Sequence, residues 1–335
     1  MKNKDNKFGL VYDNAIEENI LGQVNIHPVA YMVNGLKIAA NVYTPAGYDA
    51  MGEKKYPAIT VAHPNGGVKE QVAGAYAQIL AEHGYIAIAA DASYQGGSEG
   101  TPHDTDHPAN RINDICAMVD FLTTFDGVDT ERIGALGICG GGGYTLGAAQ
   151  IDKRIKAVAT LSMFNSGRVR RNGFHDADRA GAKKRLRQAA AARANELRGE
   201  VEYIGFLPPD ITDDELRAQM LTLPENTLYR DGIEYYGLTH KHPNATGSYT
   251  AESFMKLIAF DVEDRMELVD QPLLMICGEK ADTLYMSVDA FIKAVNADDK
   301  ELYTIPNASH IRTYWVEEYV CAAVNKLDAF FHKYL

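Results

Sequence analysis

Hydrophobic and polar positions along the chain change period in a regular way. Residues 24–33 and 36–43 are two strand-like runs separated by Asn34-Gly35, a strong short-range hairpin signal, and they predict an antiparallel entry hairpin. Residues 56–63 then form an apolar run with the pattern of a buried strand, ending in Pro64-Asn65-Gly66-Gly67. A helix is predicted over 71–83, stopped by Gly84, and a second buried strand over 85–91. The alternation continues through a glycine-rich loop to Gly100, a helix over 109–125, a strand ending at Cys139, a helix out of the glycines that follow, and a strand over 156–161. Strands alternating with helices predict an α/β chain with a mostly parallel sheet and right-handed crossovers.

At Asn165 the rhythm stops. Residues 165–267 are basic at first and then polar and aromatic, with Arg168, Arg170 and Arg171, an Ala/Arg/Lys helix over 176–198, Leu207-Pro208-Pro209, and a tyrosine-rich stretch from Tyr229 to Tyr249. The alternation resumes with a strand over 272–277, a helix over 286–296, a strand over 301–305 and a closing helix over 313–332. A long insertion between strands of one sheet reads as a mainly helical cap over the carboxyl ends of the strands, where sites in such sheets lie. The expected division is a core of 1–164 and 268–335 with a cap of 165–267.

Composition narrows the function classes. A hydrophobic fraction of 46% in 335 residues supports one full core, and a net charge of -12 repels phosphate backbones and anionic lipid, so nucleic acid and membrane surfaces are not expected partners. The polar start lacks the apolar core of a signal peptide and no later segment is long and apolar enough to span a bilayer, which together predict a cytoplasmic protein. The four cysteines, Cys116, Cys139, Cys277 and Cys321, are widely spaced and expected to be reduced. A homodimer is compatible with all of this.

The chemistry centres on Gly137-Ile138-Cys139-Gly140-Gly141, a strand-turn-helix with the spacing of a nucleophile elbow and sulfur in place of the usual hydroxyl. The helix start favours thiolate over thiol. Asp282 and His310 each follow a strand, so Cys139, Asp282 and His310 are the candidate triad: His310 takes the thiol proton while Asp282 fixes the ring's tautomer. An oxyanion needs two donors. The N–H of Gly140 is one, and because Pro64 has none, Asn65 is the expected second, with Gly66 behind it.

Taken together, His63 to Gln71, Asp91 to Ser98, Arg132 to Gly143, Gly278 to Thr283 and Ala308 to His310 resemble the dienelactone-hydrolase-like branch of the α/β-hydrolases, above all its capped bacterial members and related fungal thiohydrolases and polyketide acyltransferases. The resemblance covers the core. It implies the α/β-hydrolase fold and a Cys/Ser–His–Asp acyl mechanism with no cofactor, and no metal is expected. The expected function is cleavage of a carboxylic ester, lactone or thioester of a small molecule. The alternatives are an acyltransferase with the same triad, an aminopeptidase, and a non-catalytic binding protein of the same fold. Dienelactone hydrolase itself is a compact single domain, so its substrate is not carried over.

Other residues receive plainer readings. Cys116, Cys277 and Cys321 are expected in the core, Glu279 as the weaker alternative to Asp282, and His63 as a shaper of the oxyanion turn. Asp91 and Ser98 are expected to fix a turn. His103, Asp104, Asp106 and His107 read as a solvated loop, and His240 and His242 as exposed. Arg168, Arg170 and Arg171 are either a solvated face or a binder of an acidic substrate. Tyr235, Tyr236 and Tyr249 are the candidate pocket walls in the cap.

Overall fold

A computed structural model describes residues 6–207 and 211–335, so Pro208 and Pro209 lie outside the described residues. The entry hairpin pairs β1 (Asn25–Val33) with β2 (Leu36–Thr44), and Val33 faces Leu36 across the turn. Asn34 and Gly35 both take positive φ, 49° and 82°, as a tight two-residue hairpin turn requires.

The core then runs β3 (Tyr56–Ala62), α1 (Val72–Glu82), β4 (Ile86–Ala90), α2 (Pro108–Thr124), β5 (Val128–Ile138), α3 (Gly140–Ile151) and β6 (Ile155–Leu161). The insertion contributes α4 (Ser166–Asn172), α5 (Ala182–Glu196), β7 (Tyr203–Gly205), α6 (Asp213–Leu221), α7 (Leu228–Gly232), β8 (Ser248–Thr250) and α8 (Phe254–Leu257). The chain returns to the core with β9 (Leu273–Gly278), α9 (Leu284–Lys293), β10 (Lys300–Ile305) and α10 (Glu317–Tyr334). Eight strands form one sheet in the order β1-β2-β4-β3-β5-β6-β9-β10, parallel from β4 to β10, with the hairpin antiparallel at one edge. Its central strands are buried along their length, which is why they read as apolar runs instead of alternating. No helix among the described residues is long and apolar enough to cross a membrane.

Several expectations need correction. The cap helix predicted over 176–198 starts at Ala182, because short 3-10 turns and a positive φ at His175 and Asp176 interrupt the chain before it. The paired strands β7 and β8 carried too little pattern to be read. Cys277 is buried and Cys116 half-buried, but Cys321 is exposed. The inner face of α10 is Ala323, Val324, Leu327 and Phe331, and a residue two places before Ala323 points away from it.

The loop read as solvated is a clasp instead. Asp106 and Thr105 are buried, His107 Nε2 meets Glu252 at 2.7 Å, the Asp106 N–H donates to Ser253 Oγ at 3.0 Å, and the Thr250 N–H donates to the Asp104 carbonyl at 3.1 Å. The polar residues between Gly100 and Pro108 therefore pin the insertion to the sheet. His240 and His242 are buried too; the His240 ring stacks on Tyr235 at 4.2 Å, and its carbonyl accepts from Gln71 Nε2 at 2.8 Å.

Candidate active site

Cys139 occupies the turn between β5 and α3 with φ 55° and ψ -122°, a conformation that L-residues seldom adopt. Its backbone is held on both sides. The Cys139 N–H donates to the Leu161 carbonyl at 3.0 Å, and its own carbonyl accepts from the Phe164 N–H at 2.9 Å. The glycine at 141 is a steric requirement, since a Cβ there would lie 2.5 Å from the carbonyl oxygens of Ala62 and His63. This close approach brings the end of β3 against the elbow. As a result the N–H groups of Gly140 and Asn65 both turn towards the Cys139 sulfur, the two donors expected for an oxyanion.

The loop after β3 is braced from below. His63 Nδ1 donates to the Pro64 carbonyl at 2.7 Å and its Nε2 accepts from the Ala92 N–H at 3.0 Å, so the ring is neutral and fully used. Burial, helped by the Arg111 cation, pushes its pKa down to about 3. Arg111 Nη2 in turn donates to the His63 carbonyl at 2.8 Å. Asp91 accepts from the Lys69 N–H and Lys69 Nζ, each at 2.8 Å, and Ser98 Oγ donates to the Asp91 carbonyl. These residues shape turns, as read. Gly66 has φ 67° and packs against the insertion at Gly247.

His310 lies after β10 and is completely buried. Its carbonyl accepts from Thr313 Oγ1 at 2.7 Å and Ser162 Oγ at 3.1 Å, which fixes the loop. The ring's two partners differ from those expected. Nδ1 meets Thr283 Oγ1 at 2.6 Å, and Nε2 meets the Tyr314 hydroxyl at 2.9 Å. That tyrosine also lines the small cavity at Cys139 and lowers the pKa of its thiol. Cys139 and His310 are thus linked through Tyr314.

The expectation that Asp282 bonds the His310 ring is corrected by this geometry. Both Asp282 carboxylate oxygens accept from the Leu228 N–H, at 3.1 and 3.2 Å. Leu228 opens α7, whose own N-cap residue, Thr227, makes no side-chain capping bond. A carboxylate is favoured at such a helix start, so the cap draws Asp282 outward and leaves the next residue, Thr283, facing the ring. Glu279 accepts from the Asn307 N–H at the surface.

The expected thiolate is corrected as well. Burial raises the Cys139 thiol above its ordinary range, although Tyr314, the Gly140 and Asn65 N–H groups and Arg170 act in the other direction. Burial alone pushes His310 down to about 3. The resting pair is therefore a neutral thiol and a neutral imidazole.

Beside the sulfur is a cavity of about 70 Å³ lined by Asn65, Phe206, Tyr236 and Tyr314. A larger one of about 340 Å³ shares Asn65, Arg170, Phe206 and Tyr229 with it and adds Tyr249, forming a vestibule. Of the three cap tyrosines, Tyr236 and Tyr249 line these spaces, while Tyr235 packs edge-on behind Tyr314 at 5.6 Å and stiffens it. Tyr314 and Thr283 escaped the sequence reading. The only available signal was position: Tyr314 comes four residues after His310 and Thr283 one after Asp282.

Comparison with known proteins agrees with this architecture. The model of the X-Pro dipeptidyl-peptidase (S15) family matches residues 34–256. The chain belongs to that family. It is 36% identical over 304 residues to the uncharacterized protein YcjY of Escherichia coli K12, covering 90% of this chain and 95% of that one. The crystal structure of the hypothetical protein PA2218 from Pseudomonas aeruginosa superposes with a TM-score of 0.82 at 30% identity, over 95% and 96% of the two chains. Thiohydrolase aneE of Aspergillus aculeatus is 33% identical over 129 residues, 38% of either chain. This S15-family member thus has an α/β-hydrolase fold, and the resemblance to the fungal thiohydrolases recurs in aneE.

Two outcomes test the geometry. Thr283→Val should lower kcat/KM about tenfold or more by releasing the His310 ring, whereas Asp282→Asn should stay within about threefold and lower the melting temperature instead. The reverse order would return Asp282 to the ring. The second concerns pH. His63 and His310 stay neutral when folded but bind protons below about pH 6.5 when unfolded, so stability is complete above that pH. It should fall as the pH drops from there towards 3, by about 1.4 kcal/mol per pH unit for each ring. Urea melts of the protein and of His310→Gln measure this, with the variant losing one ring's share of the slope; equal slopes would contradict it.

Proposed function

We propose that the chain is a cytoplasmic hydrolase that cleaves a carboxylic ester, lactone or thioester of a small molecule through an acyl-enzyme on Cys139. The observation that carries this reading is the convergence on one sulfur of two backbone N–H groups and a hydroxyl that leads to His310. The two N–H groups supply what a tetrahedral oxyanion needs. The hydroxyl supplies a path for the thiol proton.

As Sγ attacks the carbonyl carbon, its proton passes to the Tyr314 oxygen while the Tyr314 proton passes to His310 Nε2. A C–S bond forms, the carbonyl π pair moves onto oxygen, and the N–H groups of Gly140 and Asn65 stabilise that oxygen; one such donor is commonly worth about 10²- to 10³-fold in rate. Collapse restores the C=O bond and expels the alkoxide or thiolate, which recovers the proton from His310 through Tyr314. Water then attacks the thioester by the same route, releasing the acid and regenerating the thiol. Because the thiol is neutral at rest, general-base assistance in the transition state matters more here than in enzymes that start from a thiolate.

Two features favour this reading over its rivals. The peptidase activity in the family's name would bring a cationic amino terminus to the cavity, yet the charged side chain beside Cys139 is Arg170. The name of the relative aneE, a thiohydrolase, favours water as acceptor and a thioester among the substrates. A nitrophenyl ester of a short acid should be turned over steadily in buffer alone, with an acyl adduct on Cys139 by intact mass and no adduct on Cys139→Ala. A single burst that stalls until an alcohol or amine is added would make the protein a transferase. Turnover undiminished in Cys139→Ala would remove the nucleophile.

A further inference from the structure

Three arginines follow β6 on α4, and they have different fates. Arg168 is saturated by carboxylates, with Asp176 at 2.7 Å, Glu263 at 2.8 Å and Asp289 at 2.7 Å. Arg171 pairs with Asp261 and donates to the carbonyls of Ile258 and Phe260. Both lie on one helical face, three residues apart, towards the acidic segment 261–263. Arg170 is rotated off that face and turns into the cavity beside Cys139.

Among the described residues Arg170 has no carboxylate at ion-pair distance. Its Nε donates to the Tyr249 hydroxyl at 3.1 Å, and its guanidinium lies against the rings of Tyr249 and Phe164, 5.1 and 5.6 Å from their centroids. Its two terminal nitrogens make no hydrogen bond among the described residues. The other charges around the vestibule are engaged. Arg185 is held by Asp178 at 2.6 Å and by main-chain carbonyls, and Asp106 meets the Tyr144 hydroxyl at 3.2 Å and Arg111 at 3.9 Å.

We propose that Arg170 is the receptor for a carboxylate carried by the substrate, on the acyl or the leaving half of the ester or thioester. The idea rests on the hydrolase reading above and names its substrate class. A guanidinium stays charged on burial and costs desolvation when left without a counter-ion, which a bound carboxylate offsets with two parallel N–H···O bonds. Two aromatic faces hold its plane, so little ordering remains to be done on binding. The chain's net charge of -12 supplies no general attraction for anions, so selection of an acidic substrate has to come from a local cation such as this. Arg170 lines both the small chamber at the sulfur and the vestibule outside it, which sets the carboxylate close to the scissile carbonyl.

The test uses two matched pairs, nitrophenyl hemiglutarate against nitrophenyl valerate and 4-acetoxybenzoate against its methyl ester, so that either half of the substrate can carry the charge. Arg170→Met should lower the charged-to-neutral ratio of kcat/KM in at least one pair by about 10- to 100-fold, with Arg170→Lys in between. Equal losses on charged and neutral members, or none, would overturn the proposal. Arg170→Gln gives the same reading if the methionine variant does not fold. If the protein hydrolyses none of the four and Cys139 gains no adduct, the hydrolase reading fails, and the anion site is judged by binding alone. Calorimetry with Cys139→Ala should then show monomethyl glutarate binding more tightly than dimethyl glutarate, a preference lost on adding Arg170→Met. Absence of that preference would contradict the site.

Discussion

Burial of His310 without a carboxylate partner is the constraint on which the rest of the site depends. A ring at 0% exposure, held between two hydroxyls, is stable only when neutral. The same burial keeps Cys139 protonated, so the site stores no ion pair and charge appears only as the reaction proceeds. In the proposed mechanism the burden shifts to preorganised dipoles: the N–H groups of Gly140 and Asn65 must already be in place, because no thiolate waits for the substrate. The strained φ at Cys139 and the lack of space for a Cβ at Gly141 secure that placement.

The insertion between β6 and β9 does more than line the cavities. The start of α7 takes the Asp282 carboxylate, Tyr235 packs behind Tyr314, and Asp231, also on α7, accepts a hydrogen bond of 2.5 Å from Ser309, the residue before His310. Contacts from 104–107 clasp the other side. Elements of the insertion therefore set which side chain meets the His310 ring. In the proposed mechanism such an insertion couples substrate choice to the chemistry, since residues that line the cavity also hold the proton path.

How far this was legible in the sequence follows from the range of the forces involved. The hairpin at Asn34-Gly35, the alternating sheet and the strand-turn-helix at Cys139 could be read because each is set by a few consecutive residues and their backbone requirements. The choice between Asp282 and Thr283 could not. They are adjacent on one turn, and a helix start more than fifty residues earlier decides which of them turns inward. Tyr314 carried no motif, and the burial of His240 and Asp106 follows from cap contacts that local pattern does not encode. The start of α3 favours a thiolate locally, but desolvation of a buried sulfur outweighs it.

The central claim is that Cys139 and His310 act through Tyr314. A double-mutant cycle on kcat/KM with Tyr314→Phe and His310→Asn tests it most directly, since a relay works as one unit and its parts should not lose rate independently. The account predicts that each single change costs about 10²- to 10⁴-fold and that the double variant is no slower than His310→Asn alone. Losses that multiply, or a Tyr314→Phe enzyme at the unaltered rate, would contradict it.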